Sequence, residues 1–286
     1  MKIYDRRTGK YIESAQYGQS KLEFLYGNAF GRIILKIVIS PVTSRFYGWL
    51  KRQRSTVKDI KPFIEEYGID MNDFEDREYV SFADFFTRKI REGARPVCRE
   101  PHSFISPADS KLLVYRISED LMMEIKGRSY TVSELVGGRE DVSSFNGGYA
   151  LVFRLSMDDY HRYCFVGNGR MTSSYSIRGK LHTVSSISKD HKIYKENSRV
   201  VNRYETEDFS DIIQIEVGAL LVGRIVNHPA EVFSKGEEKG YFEPGGSTII
   251  ILVKKDIINI DDDIIEESDK GIETKVRYGE RIGTGI

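Results

Sequence analysis

Hydrophobic positions change their period near residue 95. In "STVKDIKPFIEEYGID" (55–70), Ile60, Phe63, Ile64 and Tyr67 recur every three or four residues and so share one helix face, and Gly68 is placed as a C-terminal cap. "SFADFFTRKI" (81–90) continues the pattern, with Ser81 as N-cap and Phe82, Phe85 and Phe86 on one face. From residue 104 the apolar runs are short and β-prone: "KLLVYRI", "YALVFRLS", "RMTSSYSI", "DIIQIEVGALLVGRIV" and "STIIILVKK", divided by Gly, Asp and Asn turns. The expected architecture is α+β, a helical N-terminal region over residues 1–95 followed by a mostly antiparallel β domain over residues 96–286.

One stretch fits two environments. "NAFGRIILKIVISPVTSRFYGWLKRQR" (28–54) is dense in Ile, Leu, Val and Phe, holds the sole Trp, and is flanked by Lys51, Arg52 and Arg54. Such a segment either packs as a helical hairpin on the protein's own core or lies in a membrane interface, apolar side down. It is too interrupted, at Arg32 and Lys36, for the roughly 18 apolar residues of a bilayer span.

Composition narrows the classes. The 286 residues suffice for a substantial core. Lys plus Arg number 43 and Asp plus Glu 43, so bulk electrostatics gives no reason to expect nucleic acid as a partner. Cys98 and Cys164 are far apart, without ligand spacing, which argues against a disulfide framework or a metal site and for a reducing compartment. The first residues lack the apolar core of a secretion signal.

The chemistry-bearing residues are modest one by one. Of five histidines, His161 stands out in "SMDDYHRYCFVGNG", where a strand run ends among charged and aromatic residues. Asp109 in "ISPADSKLLVY" is either a turn aspartate or a carboxylate that orients an imidazole. Ser247 in "EKGYFEPGGSTIIILVKK" is either part of a glycine turn or a nucleophile.

Together, "FADFFTRKIREGARPV", "SPADSKL", "DYHR", "IEVGALLVGRI", "KGEEKGYFEPGGSTIIIL" and "YGERIG" resemble the phosphatidylserine decarboxylase family, type II bacterial branch, in the family's order and over nearly the whole chain. The resemblance implies a proenzyme that cleaves itself between Gly246 and Ser247. Residues 1–246 then form a large chain and residues 247–286 a small one, and Ser247 becomes a covalent pyruvoyl (pyruvate) cofactor. It further implies that Asp109 orients a histidine that deprotonates Ser247, and that the pyruvoyl carbonyl is the electron sink as phosphatidylserine loses carbon dioxide to give phosphatidylethanolamine. The expected location is the cytoplasmic side of the cell membrane, peripheral, with a homodimer as an open alternative to a monomer.

The chain departs from the family in one telling place. Where many members carry a second histidine after "DYHR", the one usually given to self-cleavage, this chain has Cys164. A thiol with an ordinary pKa of about 8.5 is mostly neutral at pH 7 and does not replace an imidazole. His161 as base, His182 in "GKLHTVSS" moving into the role, and impaired cleavage are the three accounts. Two other functions share the residues: a serine hydrolase using Ser247, although "GGSTI" lacks the second glycine of a nucleophile elbow, and a non-catalytic lipid-binding relative.

Overall fold

A computed structural model of the chain describes residues 2–13, 19–125, 128–182, 193–219, 224–245 and 247–286. Its centre is a largely antiparallel sheet in which Ser210–Gly218, Ser247–Val253, Tyr149–Leu155, Ser110–Arg116 and Glu273–Val276 lie side by side in that order. These are the strands the β-prone runs predict. Every residue of Ser247–Val253 is buried. Its unbroken run of β-branched and leucine side chains, without polar alternation, is what a strand covered on both faces requires.

The first thirteen residues depart from the helical expectation. Lys2–Asp5 and Lys10–Glu13 pair as a hairpin, and the first of them adds to Glu273–Val276 as a parallel neighbour. Helices follow: α1 (Gln19–Gly27), α2 (Ala29–Val38), α3 (Pro41–Lys51), α4 (Ile60–Tyr67) and α5 (Phe82–Phe86). Gly68 ends α4 in the left-handed region at φ 59°, which a residue without Cβ adopts at little cost. Ser81 Oγ accepts from Asp84 N (3.2 Å) and starts α5.

Ile60, Phe63, Phe82, Phe85 and Phe86 close a small second core under these helices, with Met157 from the β domain packed against it. By contrast, α2 and α3 turn their apolar side outward. Phe30 is 65% exposed, Ile37 63%, Phe46 58% and Trp49 53%. No helix among the described residues is long and apolar enough to cross a membrane.

The sheet also encloses charge. Glu216 and Lys239 form an ion pair of 2.9 Å with both side chains fully buried. Glu216 further accepts from Asn202 (2.6 Å), Gln214 (2.9 Å) and Asn227 (3.2 Å). Lys239 lies where the pairing of Glu238–Phe242 with Arg162–Cys164 slips by a residue, and such a bulge re-aims a side chain. Burial holds the Lys239 ammonium below its ordinary range, and the Glu216 carboxylate acts against that.

Candidate active site

The interior end of the central sheet collects the residues of interest. Ser247, first in its strand, is paired with Gly218 on one side and Leu155 on the other. Its hydroxyl is fully buried and has no hydrogen-bond partner among the described residues, although a hydroxyl is both donor and acceptor. Leaving such a group unmet costs about 1–3 kcal/mol, so the position calls for a reason other than stability. Two residues before it, Gly245 has φ 141°, a value reached readily only without a Cβ. Gly246, the residue before the implied cut, lies outside the described residues.

The approach to Ser247 is pinned at two points. Phe242 N donates to His161 O (3.0 Å), and Glu243 N donates to Arg224 O (2.9 Å). Both carboxylate oxygens of Glu243 receive Arg52 Nη2 at 2.6 Å, so the polar segment after α3 holds the loop that leads to the serine.

His161 follows in the chain the strand that ends at Leu155, the cross-strand neighbour of Ser247, and is wholly buried. Its Nδ1 lies 2.9 Å from Asp159 O. A carbonyl can only accept, so Nδ1 carries the proton and Nε2 presents its lone pair. Nε2 is buried without a hydrogen-bond partner among the described residues. The ring packs on Phe86 of α5 (centroids 4.2 Å apart), and the small helical core thereby fixes its plane. Burial, with Arg88 and Lys111 adding to it, pushes the imidazole down from 6.5 to about 3, against smaller opposing effects from the Asp159 carbonyl and Asp158. The ring is neutral at physiological pH.

That depression has a measurable sign. Between pH 6.5 and 3 the unfolded chain binds a proton at this ring that the folded one does not, so the stability it contributes is present above 6.5 and lost as pH falls. At pH 5 the loss is about 2 kcal/mol. In a Ser247→Ala background, urea unfolding at pH 7 and pH 5 is expected to show a smaller acid loss, by about that amount, in His161→Asn than in its parent. Equal losses would mean the ring is not held neutral by burial.

Asp109 is not the partner of His161. Arg95 donates to it from Nε (3.1 Å to each oxygen) and Nη2 (2.9 Å), and Tyr278 N adds a bond of 2.8 Å. Cys164 is nearer to that loop: its N donates to Pro107 O (2.9 Å) and its Sγ lies 3.9 Å from Ser106 O. Burial pushes the thiol up to about 12, so it is neutral and no proton acceptor at neutral pH.

His182 is the other buried imidazole that the structure brings to this end of the sheet. Asn197 accepts from His182 N (2.9 Å) and donates to both His182 O and Gly218 O (2.8 Å each). One carboxamide thus ties His182 to the strand neighbour of Ser247. Its Nδ1 meets Tyr26 Oη at 3.2 Å and its Nε2 lies 3.8 Å from Glu196. His102 and His228 pair with Asp208 and Glu238 at the surface, and His191 lies outside the described residues.

Several contributors carried no sequence signal: Asn197, the Arg52–Glu243 clamp and the Phe86 stack all depend on partners remote in sequence. Arg88 is similar. It is fully buried, 4.2 and 4.8 Å over the rings of Phe74 and Phe85, and pushed down to about 10 by burial. Among the described residues no cluster of three or more His, Cys, Asp or Glu is arranged to hold a metal ion.

Residues 82–284 match the family model described as phosphatidylserine decarboxylase. The chain is 48% identical over 283 residues to "Phosphatidylserine decarboxylase proenzyme 2" of Clostridium acetobutylicum, covering 98% of this chain and 97% of that one. It is 36% identical over 294 residues to a phosphatidylserine decarboxylase proenzyme of Clostridium botulinum (100% and 99% covered) and 35% identical over 291 to one of Desulfitobacterium hafniense (99% and 98% covered).

Proposed function

Since the chain belongs to the phosphatidylserine decarboxylase family and is an enzyme of that kind, we propose that it works as a self-processing, pyruvoyl-dependent decarboxylase of membrane phosphatidylserine, cut between Gly246 and Ser247. One observation supports this above the rest: the fully buried hydroxyl of Ser247, without a hydrogen-bond partner among the described residues, at the start of an all-buried strand. A serine there does nothing for packing, whereas a nucleophile must be desolvated and left uncommitted.

The first step needs only the chain's own groups. Ser247 Oγ gives its proton to a base and attacks the carbonyl before it, the C–N bond opens with protonation of the nitrogen, and an ester joins the two segments. Elimination splits that ester, leaving the residue 246 carboxylate, and hydrolysis with loss of ammonia turns residue 247 into a ketone. His161 Nε2, with its lone pair fixed by the Nδ1–H donation, is the base on this reading. His182 is the second reading, favoured by the Asn197 link to Gly218.

The position suits the group. Thr248–Val253 stay laddered to two neighbours after the cut, and Glu273–Val276 and Arg281–Gly285 pair with strands of the large chain, so the two fragments remain one fold. When formed, the pyruvoyl carbonyl supplies the electron sink for loss of carbon dioxide. The protein's part is to keep that position dry and its neighbours fixed. Intact mass of freshly purified active protein is expected to show two fragments split before residue 247, the smaller with a blocked N-terminus; a single uncut chain would overturn the reading.

Cys164 then occupies the place of a better base. A buried imidazole there would lie against the Ser106–Asp109 loop, where Asp109 is already held by Arg95 and Tyr278. Cys164→His is expected to speed self-cleavage about 10-fold or more despite an overpacking cost of about 1–3 kcal/mol, read as uncut fraction against time. An unchanged or slower rate counts against residue 164 as a base position.

The outward apolar side of α2 and α3, with Lys36 and Arg45 on the same elements, supports a peripheral site on the cytoplasmic face of the cell membrane. Trp49, the sole Trp, reports it directly: its emission is expected to shift to the blue on anionic vesicles, and Ile37→Glu with Phe46→Glu to abolish the shift.

A further inference from the structure

Between α3 and the sheet lies a cavity of about 590 Å³ whose charged lining is entirely basic: Arg45, Arg178, Arg199 and Arg224. Arg199 is committed inward, donating to the carbonyls of Leu135, Lys195, Asn197 and Glu134. The other three are exposed, and no carboxylate among the described residues pairs with them. Glu243, whose N–H bonds the backbone of Arg224, has its carboxylate taken by Arg52. Three guanidinium groups thus share one cavity without a counterion among the described residues.

The location gives the charge a meaning. Gly218, the strand partner of Ser247, lines the cavity on the inner side. Pro41 and Val42, the first turn of α3, line it on the other, and Val42 is itself 66% exposed on the apolar side of that hairpin. The space therefore touches both the outward apolar hairpin and the strand neighbour of the buried serine. Ile177, Leu181 and Ile225 supply apolar wall between the arginines. A ligand that matches carries a phosphate anion close to an apolar body, because guanidinium forks bind phosphate oxygens bidentately.

We propose that Arg45, Arg178 and Arg224 form the subsite for the phosphodiester of the lipid headgroup and hold it so that the amine end points past Gly218 toward residue 247. This rests on the decarboxylase reading for its substrate, while the phosphate recognition rests on the cavity alone. The arginines position and select; they take no part in bond breaking.

Calorimetric titration of the purified wild-type protein with glycerophosphoethanolamine, which has the phosphodiester and amine but no carboxylate to lose, tests the subsite without turnover. Saturable binding is expected, weakened about 10-fold or more in Arg178→Gln/Arg224→Gln and partly restored in Arg178→Lys/Arg224→Lys. With phosphatidylserine in mixed micelles the same glutamine variant is expected to raise KM with kcat and chain cleavage retained. Unchanged headgroup affinity in the glutamine variant overturns the subsite. Inorganic phosphate binding as tightly as the headgroup also overturns it, in favour of a free-anion site. Absence of cleavage and of carbon dioxide release in the wild type, with headgroup binding intact, would instead overturn the decarboxylase reading and leave the anion subsite standing.

Discussion

Ser247→Ala is expected to leave one uncut chain of full mass and to lower carbon dioxide release from phosphatidylserine to the detection limit, a loss of about 10⁶-fold or more. The size follows from what the residue would supply. Without the hydroxyl there is no nucleophile for the carbonyl before it, and without cleavage there is no ketone to accept electrons, so one atom removes both steps. Folding should be spared, because Ser247 Oγ makes no hydrogen bond to a described residue and alanine keeps the backbone ladder to Gly218 and Leu155. Retained circular dichroism with lost processing is the expected pair of readings. Residual processing of the alanine chain would place the cut elsewhere.

Lys239→Met is expected to destabilise the fold by about 3–5 kcal/mol, the usual cost of breaking a buried pair from one side. Methionine fills a comparable volume, so the loss comes from Glu216, left buried in the sheet without its cation and, among the described residues, with Asn202, Gln214 and Asn227 as its side-chain donors. Removing both charges, Lys239→Met with Glu216→Leu, is expected to recover much of it. Urea unfolding in the uncut Ser247→Ala background measures all three chains as single polypeptides, and a double variant no more stable than Lys239→Met would show that the pair is not what the lysine serves.

These two positions mark how far the sequence could be read. Ser247 was legible because its signal is local: two glycines, a serine and a β-branched run, in order with the other motifs. The end of α4 at Gly68, the cap at Ser81 and the central strands were legible for the same reason, since a period of 3.6 or a short apolar run is written in neighbouring residues. Lys239 looked like one more charge in the polar stretch "KGEEKGYF"; only the slip in pairing turns it inward, and that slip depends on how Glu238–Phe242 meets Arg162–Cys164. The N-terminal hairpin escaped notice because four-residue strands carry too little pattern without the edge they join.

The site divides along the same line. By itself the sequence determined the family and the α+β class and singled out the glycine–serine stretch of the proposed junction, because each is set by residue type and short spacing. Tertiary structure alone decided that Arg95, not a histidine, holds Asp109, that the Asp159 carbonyl fixes the His161 tautomer, and that Asn197 brings His182 to the neighbour of Ser247. Partners, protonation and burial are properties of side chains that meet across strands and turns, and no local pattern encodes which distant group arrives beside which.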